Sequence, residues 1–194
     1  APASVPAERA AWIVRTHGYV EEVMRWEELR ADEGVAYGTV IEALNRLLPA
    51  DAQARLEAAV HASEARHLGE LRLCVEAGLP WGALRQGLDA RGRALELFSA
   101  LRVWDTAHNN GVLIYLLLAD QRIEVIADRG VSIHVPPDTW QALADRLGEA
   151  LRQGQPEPGL LAAIEQVGTL LRQHPPAPQG VSRPNELPDA VVLM

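Results

Sequence analysis

HNNGVLIYLLLADQRIEVIADRG, residues 108–130, decides the fold. Asn110 and Gly111 are turn-forming residues, and they open onto VLIYLLLA, a nearly continuous apolar run of the kind found in a strand covered on both faces. This strand is expected at the centre of a sheet. Asp120 and Gln121 break the run, and RIEVIAD follows with Ile123, Val125 and Ala127 alternating against more polar neighbours. The two segments read as an antiparallel hairpin.

Upstream, ELRLCVE (70–76) alternates Leu71, Leu73 and Val75 with Arg72, Cys74 and Glu76, the period-two signature of a strand. Gly78, Pro80 and Gly82 interrupt the chain. Beyond them Leu84, Leu88, Leu95, Phe98 and Leu101 recur at helical intervals, in a helix long enough for a crossover. Strand, crossover helix and strand imply a parallel pair, so with the hairpin the sheet is mixed. VSIHV (131–135) reads as an extension of that sheet, ended by Pro136 and Pro137. A helix capped by Asp138 then carries Trp140, Leu143, Ala144, Leu147 and Leu151, and a last helix carries Leu160, Leu161, Ile164, Val167 and Leu171. Before the first strand, Pro49 starts a helix capped by Asp51, bearing Leu56 and Val60 and ended by Gly69.

The fold class these elements predict is α/β, a three-layer α/β/α sandwich around a mixed central sheet, over residues 49–176. Residues 1–48 form a helical N-terminal extension in this reading, with Trp12, Trp26, Val40, Ile41 and Leu44 at helical spacings, docking on the main domain or on a partner. Residues 177–194 form a proline-rich, extended C-terminal tail.

Composition narrows the function. A chain of 194 residues suits one globular unit, and its net charge of -8 disfavours a nucleic-acid partner, whose phosphates demand clustered cations. There is no lysine, which excludes Schiff-base chemistry and the lysine of a phosphate-binding loop. Cys74, the single cysteine, has no disulfide or Cys-x-x-Cys partner and reads as core filler. No stretch reaches the ~20 apolar residues of a membrane span. A soluble chain is expected, cytoplasmic or membrane-peripheral. Ala1 rather than Met opens it, so the expectation allows for an upstream targeting segment or anchor.

No Gly-x-Ser-x-Gly elbow, His-Glu-x-x-His or Gly-x-Gly-x-x-Gly motif occurs, and His17, His108, His134 and His174 are scattered. His61, Glu64 and His67 have a metal-ligand spacing, but a lone copy on a helix that leads into a strand reads as solvated or helix-ending side chains. Hard oxygen donors of the kind Ca²⁺ or Mg²⁺ accepts gather near the hairpin ends: Asp105, Asn109, Asn110, Asp120, Glu124 and Asp128. Antiparallel return of the second strand brings Asp128 toward Asn110 and leaves Asp120 at the opposite edge. The candidate metal set is therefore Asp105, Asn109 or Asn110, and Asp128. The bland alternative is that Asp, Asn and Gly are what turns require.

SEARHLGELRLCVE (63–76), RALELFSALRVWDTAHNNGVLIYLLLADQRIEVIADRGV (93–131), a Trp-containing helix, a helix ending LLRQH (170–174) and NELPD (185–189) together resemble the TPM domain family, in particular its short, soluble proteobacterial members. The resemblance runs from about Leu48 to Asp189. It departs at HPPAPQG (174–180), where such proteins tend to have His-Phe-Pro, so a docking aromatic is lost. What the resemblance implies is an α/β/α sandwich and a spread of roles: photosystem repair and acid phosphatase activity in plant relatives, calcium binding in some members, and a receptor accessory role in an animal one. The family pattern falls on Glu64, His67, Glu70, Asp105, Thr106, Asn110, Gly111, Asp120, Asp128 and Gly130. Two functions follow as expectations. One is a non-enzymatic interaction module for a protein partner, in membrane-protein maintenance or quality control. The other is a divalent-metal-assisted acid phosphatase, with Asp105, Asn110 and Asp128 holding the ion.

Overall fold

A computed structural model describes residue 42, residues 44–173 and residues 185–194. The helical extension expected over 1–48 lies outside them except at residue 42 and residues 44–48, where Leu44 and Leu48 are buried in the core. In chain order the elements are α1 (Ala50–Glu64), β1 (Glu70–Glu76), α2 (Trp81–Arg85), α3 (Ala90–Ala100), β2 (Gly111–Leu117), β3 (Arg122–Ala127), α4 (Arg129–Ser132), α5 (Pro137–Arg152), α6 (Pro156–Gln173) and β4 (Val192–Leu193).

The sheet order is β3-β2-β1-β4. β1 and β2 are parallel, with Cys74 opposite Tyr115, and β2 and β3 are antiparallel, with Ile114 opposite Val125. The continuous apolar run thus sits inside the sheet, and all seven of its strand residues are buried. Pleat alternation divides the core in two. Leu73, Val75, Ile114, Leu116 and Val125 pack with Leu56 and Val60 of α1, Leu143 and Leu147 of α5, and Ile164 and Val167 of α6. On the opposite face Cys74, Leu113, Tyr115 and Ile126 meet Ala83 of α2, Ala94 and Leu97 of α3, and Leu187. The fold is the three-layer α/β/α arrangement with a mixed sheet.

Several local expectations are corrected. The crossover is two helices, because Asp89 breaks the run by accepting a bond from Gly92 N at 2.7 Å and capping α3. VSIHV is not a strand. Asp128 accepts the Arg129 amide at 2.7 Å, starting the helical turn α4, and Val131 and Val135 are buried while Ile133 is 75% exposed. Burial at i and i+4 is helical spacing, which the V-x-I-x-V alternation disguised. Asp51 and Asp138 lie in first turns and the caps are Pro49 and Pro136, while α1 stops at Glu64 rather than at Gly69. The tail, finally, is more than an extended segment: Val192 and Leu193 add a fourth strand parallel to β1. Their pairing partners lie more than a hundred residues away, so nothing local announced them.

Candidate functional site

Of the predicted donors, Asp105, Asn109, Asn110 and Asp128 lie toward the amino end of β2, whereas ligands in α/β sheets usually sit at the carboxyl ends. After α3 the chain turns through Val103–Asn109, and the Thr106 hydroxyl accepts from the Asn110 amide at 3.0 Å. Gly111 comes so close to the Val103 carbonyl that a Cβ would overlap it. The β2–β3 ladder continues past the strands: Asp128 N donates to Gly111 O at 2.9 Å, and Gly130 N to Asn109 O at 2.8 Å. Asn110 and Asp128 are therefore neighbours across the hairpin, as its antiparallel return requires.

Their side chains share one property. Asn110 is buried and donates its amide to Leu68 O at 2.6 Å, while its Oδ1 is buried without a hydrogen-bond partner. Asp128 spends Oδ1 on the α4 cap, and its Oδ2 is likewise buried and unpartnered. A buried acceptor without a donor costs about 1–3 kcal/mol. The other candidates are engaged or exposed: Asn109 Oδ1 accepts from Arg129 at 2.9 Å, and the half-exposed Asp105 carboxylate stands 3.8 Å from Arg102. Asp120 lies in the turn at the opposite end of the hairpin, and Glu124 is 3.3 Å from Arg91. Among the described residues, no group of three or more His, Cys, Asp or Glu side chains could hold a metal ion.

The helical His-Glu-His spacing does not form a cluster either. His67 spans Ser63 Oγ and Gly69 O, each at 3.0 Å, Glu64 accepts the Leu71 amide at 2.7 Å, and His61 contacts Asp189. Under α3, Arg93 grips Glu76 through two bonds of 3.1 and 2.7 Å, and the Tyr115 hydroxyl donates to the same carboxylate at 2.6 Å. Burial, then the bond to Glu76, pushes the Tyr115 hydroxyl up, and burial, then the charge of Glu76, pushes the Cys74 thiol up to about 12. Cys74 is a protonated core residue, which suits the reading of it as filler.

A feature that sequence reasoning missed lies along β3. The ladder bond at Asp128 fixes the phase of the pairing: residues 122, 124 and 126 face β2, and Ile123, Val125 and Ala127 turn their main-chain groups outward. Among the described residues no strand pairs with this edge. Beside it runs a groove of about 210 Å³ lined by Arg91, Glu124, Pro137, Trp140, Gln141 and Ala144, among others. Arg91 crosses to the Val125 carbonyl at 3.2 Å, and Trp140 Nε1 is buried without a partner. The available signal was Trp140, an amphipathic indole on the helix that follows the hairpin. Exposed apolar side chains add to the surface: Trp104 at 50% and Ile133 at 75%, both in turns at the amino edge, and Trp81 on α2.

The profile of the TPM domain family matches residues 42–170. Among solved structures, the chain is similar to the NMR structure of BA42 protein from the psychrophilic bacterium Bizionia argentinensis, at 26% identity over 76% of this chain and 95% of that one, with a TM-score of 0.66. No curated protein matches it. Among the described residues no helix is long and apolar enough to cross a membrane.

Proposed function

The chain belongs to the TPM domain family, and from that premise we propose that it is a non-enzymatic interaction module which receives an extended segment of a protein partner, in the maintenance or quality control of membrane proteins. The observation that carries this reading is the β3 edge. Ile123, Val125 and Ala127 present main-chain donors and acceptors in the pattern that an added strand satisfies, and the adjoining groove offers Pro137 and Trp140 to its side chains. Arg91 is the gate in this scheme: its guanidinium must leave the Val125 carbonyl before an incoming amide takes that acceptor. Titration of the labelled chain with a panel of alternating apolar and polar heptapeptides tests the proposal. Amide shifts concentrated at Ile123, Val125 and Ala127, lost in Trp140→Ala, are expected; shifts that spare this edge for every peptide would sink it.

A second reading rests on the two buried, donorless oxygens of Asn110 and Asp128. Hard acceptors without protons to accept are what Ca²⁺ or Mg²⁺ ligands are, and the metal-assisted phosphatase would place its ion at this edge. When bound, the ion would polarise a phosphoryl oxygen; the part of Asn110 and Asp128 is to hold it. Calorimetric titration with CaCl₂ and MgCl₂ of the native chain and of Asp128→Ala, beside an assay with a phosphomonoester, separates the two functions. Under the phosphatase reading, both binding and turnover fall at least tenfold in Asp128→Ala. Binding that survives unchanged removes Asp128 from the site, and turnover dependent on Asp128 would overturn the non-enzymatic reading.

A further inference from the structure

The groove beside β3 straddles the edge strand, and its two walls differ in chemistry. Pleat alternation turns Arg122, Glu124 and Ile126 toward α3, while Ile123 and Val125 join the core on the α5 side. A strand added along β3 keeps this division, because cross-strand neighbours share a face. Its residues beside Ile123 and Val125 meet Pro137, Trp140 and Ala144, and those beside Arg122 and Glu124 meet the wall on which Arg91 stands.

Arg91 has spare capacity on that wall. Both of its bonds leave from Nη1, to the Val125 carbonyl at 3.2 Å and to Glu124 Oε2 at 3.3 Å, which are long contacts for a cation. Among the described residues its Nε and Nη2 find no acceptor, and the side chain is 53% exposed. That unused fork matches the two oxygens of a carboxylate. Arg122, exposed at the start of β3, adds a second cation, while Glu124 is held by Arg91 and Asp89 by the Gly92 amide.

We propose that the segment received by β3 carries carboxylates at alternate positions, between apolar residues, and that Arg91 selects them; this rests on the strand-addition reading of the same edge. As the segment arrives, its carboxylate takes Nε and Nη2 of Arg91, the guanidinium leaves Val125, and the vacated carbonyl accepts the segment's amide. One long bond to a neutral oxygen is exchanged for two charge-assisted bonds and a ladder bond. A neutral segment has to displace the same guanidinium and gives it nothing in return. The net charge of -8 sets the opposite expectation, since a field of that sign favours a cationic peptide. Within the ~8 Å over which charges act at physiological salt, the cations of this wall decide.

The test uses three acetylated and amidated heptapeptides, valine alternating with glutamate, glutamine or lysine, titrated into the labelled full chain. The glutamate peptide is expected to bind roughly tenfold tighter than the glutamine peptide, and the lysine peptide weakest, with amide shifts at Ile123 and Val125. Arg91→Gln should bring the glutamate and glutamine peptides to equal affinity while those two amides still shift. Equal affinity in the native chain, a lysine peptide that binds tightest, or an acid preference that persists in Arg91→Gln overturns the acidic partner selected by Arg91 and leaves strand addition standing. Absence of shifts at Ile123 and Val125 with all three peptides overturns both.

Discussion

Gly111→Ala is expected to cost at least about 3 kcal/mol in urea unfolding, enough to leave a marginal domain largely unfolded. The added methyl would overlap the main-chain oxygen of Val103. Main chain cannot swing aside as a side-chain tip does, and Val103 is itself fully buried and tied by its amide to Phe98 O at 3.0 Å. Moving β2 instead would disturb both neighbours, since Gly111 is in register with Glu70 of β1 and bonded to Asp128 beyond β3. Gly82→Ala is the matched control: a Cβ there meets nothing within 4 Å, so in a helix the change should be neutral or stabilising by roughly 0.5–1 kcal/mol. A Gly111→Ala protein within 1 kcal/mol of the native chain would show that the Val103 turn gives way more easily than its packing implies.

Arg93→Met should destabilise the fold by about 3–5 kcal/mol, because it strands the Glu76 carboxylate in the core. The Glu76 side chain is 5% exposed and that of Arg93 18%, so water replaces little of the lost partner. Tyr115 remains as a single donor to a group that now has three. The buried trio is not therefore a net source of stability. Replacing all three together, as Glu76→Leu, Arg93→Met and Tyr115→Phe, should recover most of the loss, since charge and partner leave together. Equal stability of the triple variant and Arg93→Met would instead mean that packing against α3, not charge, sets the cost.

The aliphatic run of residues 112–119 was legible because burial on both faces leaves no room for polar residues, and its hairpin partner was legible from alternation. The alternation of Arg72, Cys74 and Glu76 with apolar residues marked β1 as a strand but not what its polar members do: all of β1 is buried, with Arg72 held by Pro188 and Glu76 by Arg93 and Tyr115. The break between α2 and α3 was hidden because Leu84, Leu88 and Leu95 keep helical spacing across it. At the candidate site, the nearness of Asn110 and Asp128 followed from hairpin topology alone. That Asp105 turns to solvent beside Arg102 did not, since the loop from Val103 to Asn109 is set by hydrogen bonds to Thr106 rather than by periodicity. His61 and Asp189 meet across 128 residues of chain, and no local pattern records such a meeting.

The fastening between Arg72 and Pro188 spans 116 residues of chain. On a ribosome that releases about 5–20 residues per second, β1 emerges seconds before its cover does. During that interval β2 and β3 can already complete the hairpin, but one side of β1 offers unpaired amides to any extended chain nearby, its own or another's. The nascent sheet is thus most vulnerable to mispairing while it is being made, and co-translational chaperones would have the most to protect there. Loop closure over so long a stretch also makes seating of β4 a late event in refolding, readable as a slow phase at Met194 after Ile114 has become protected.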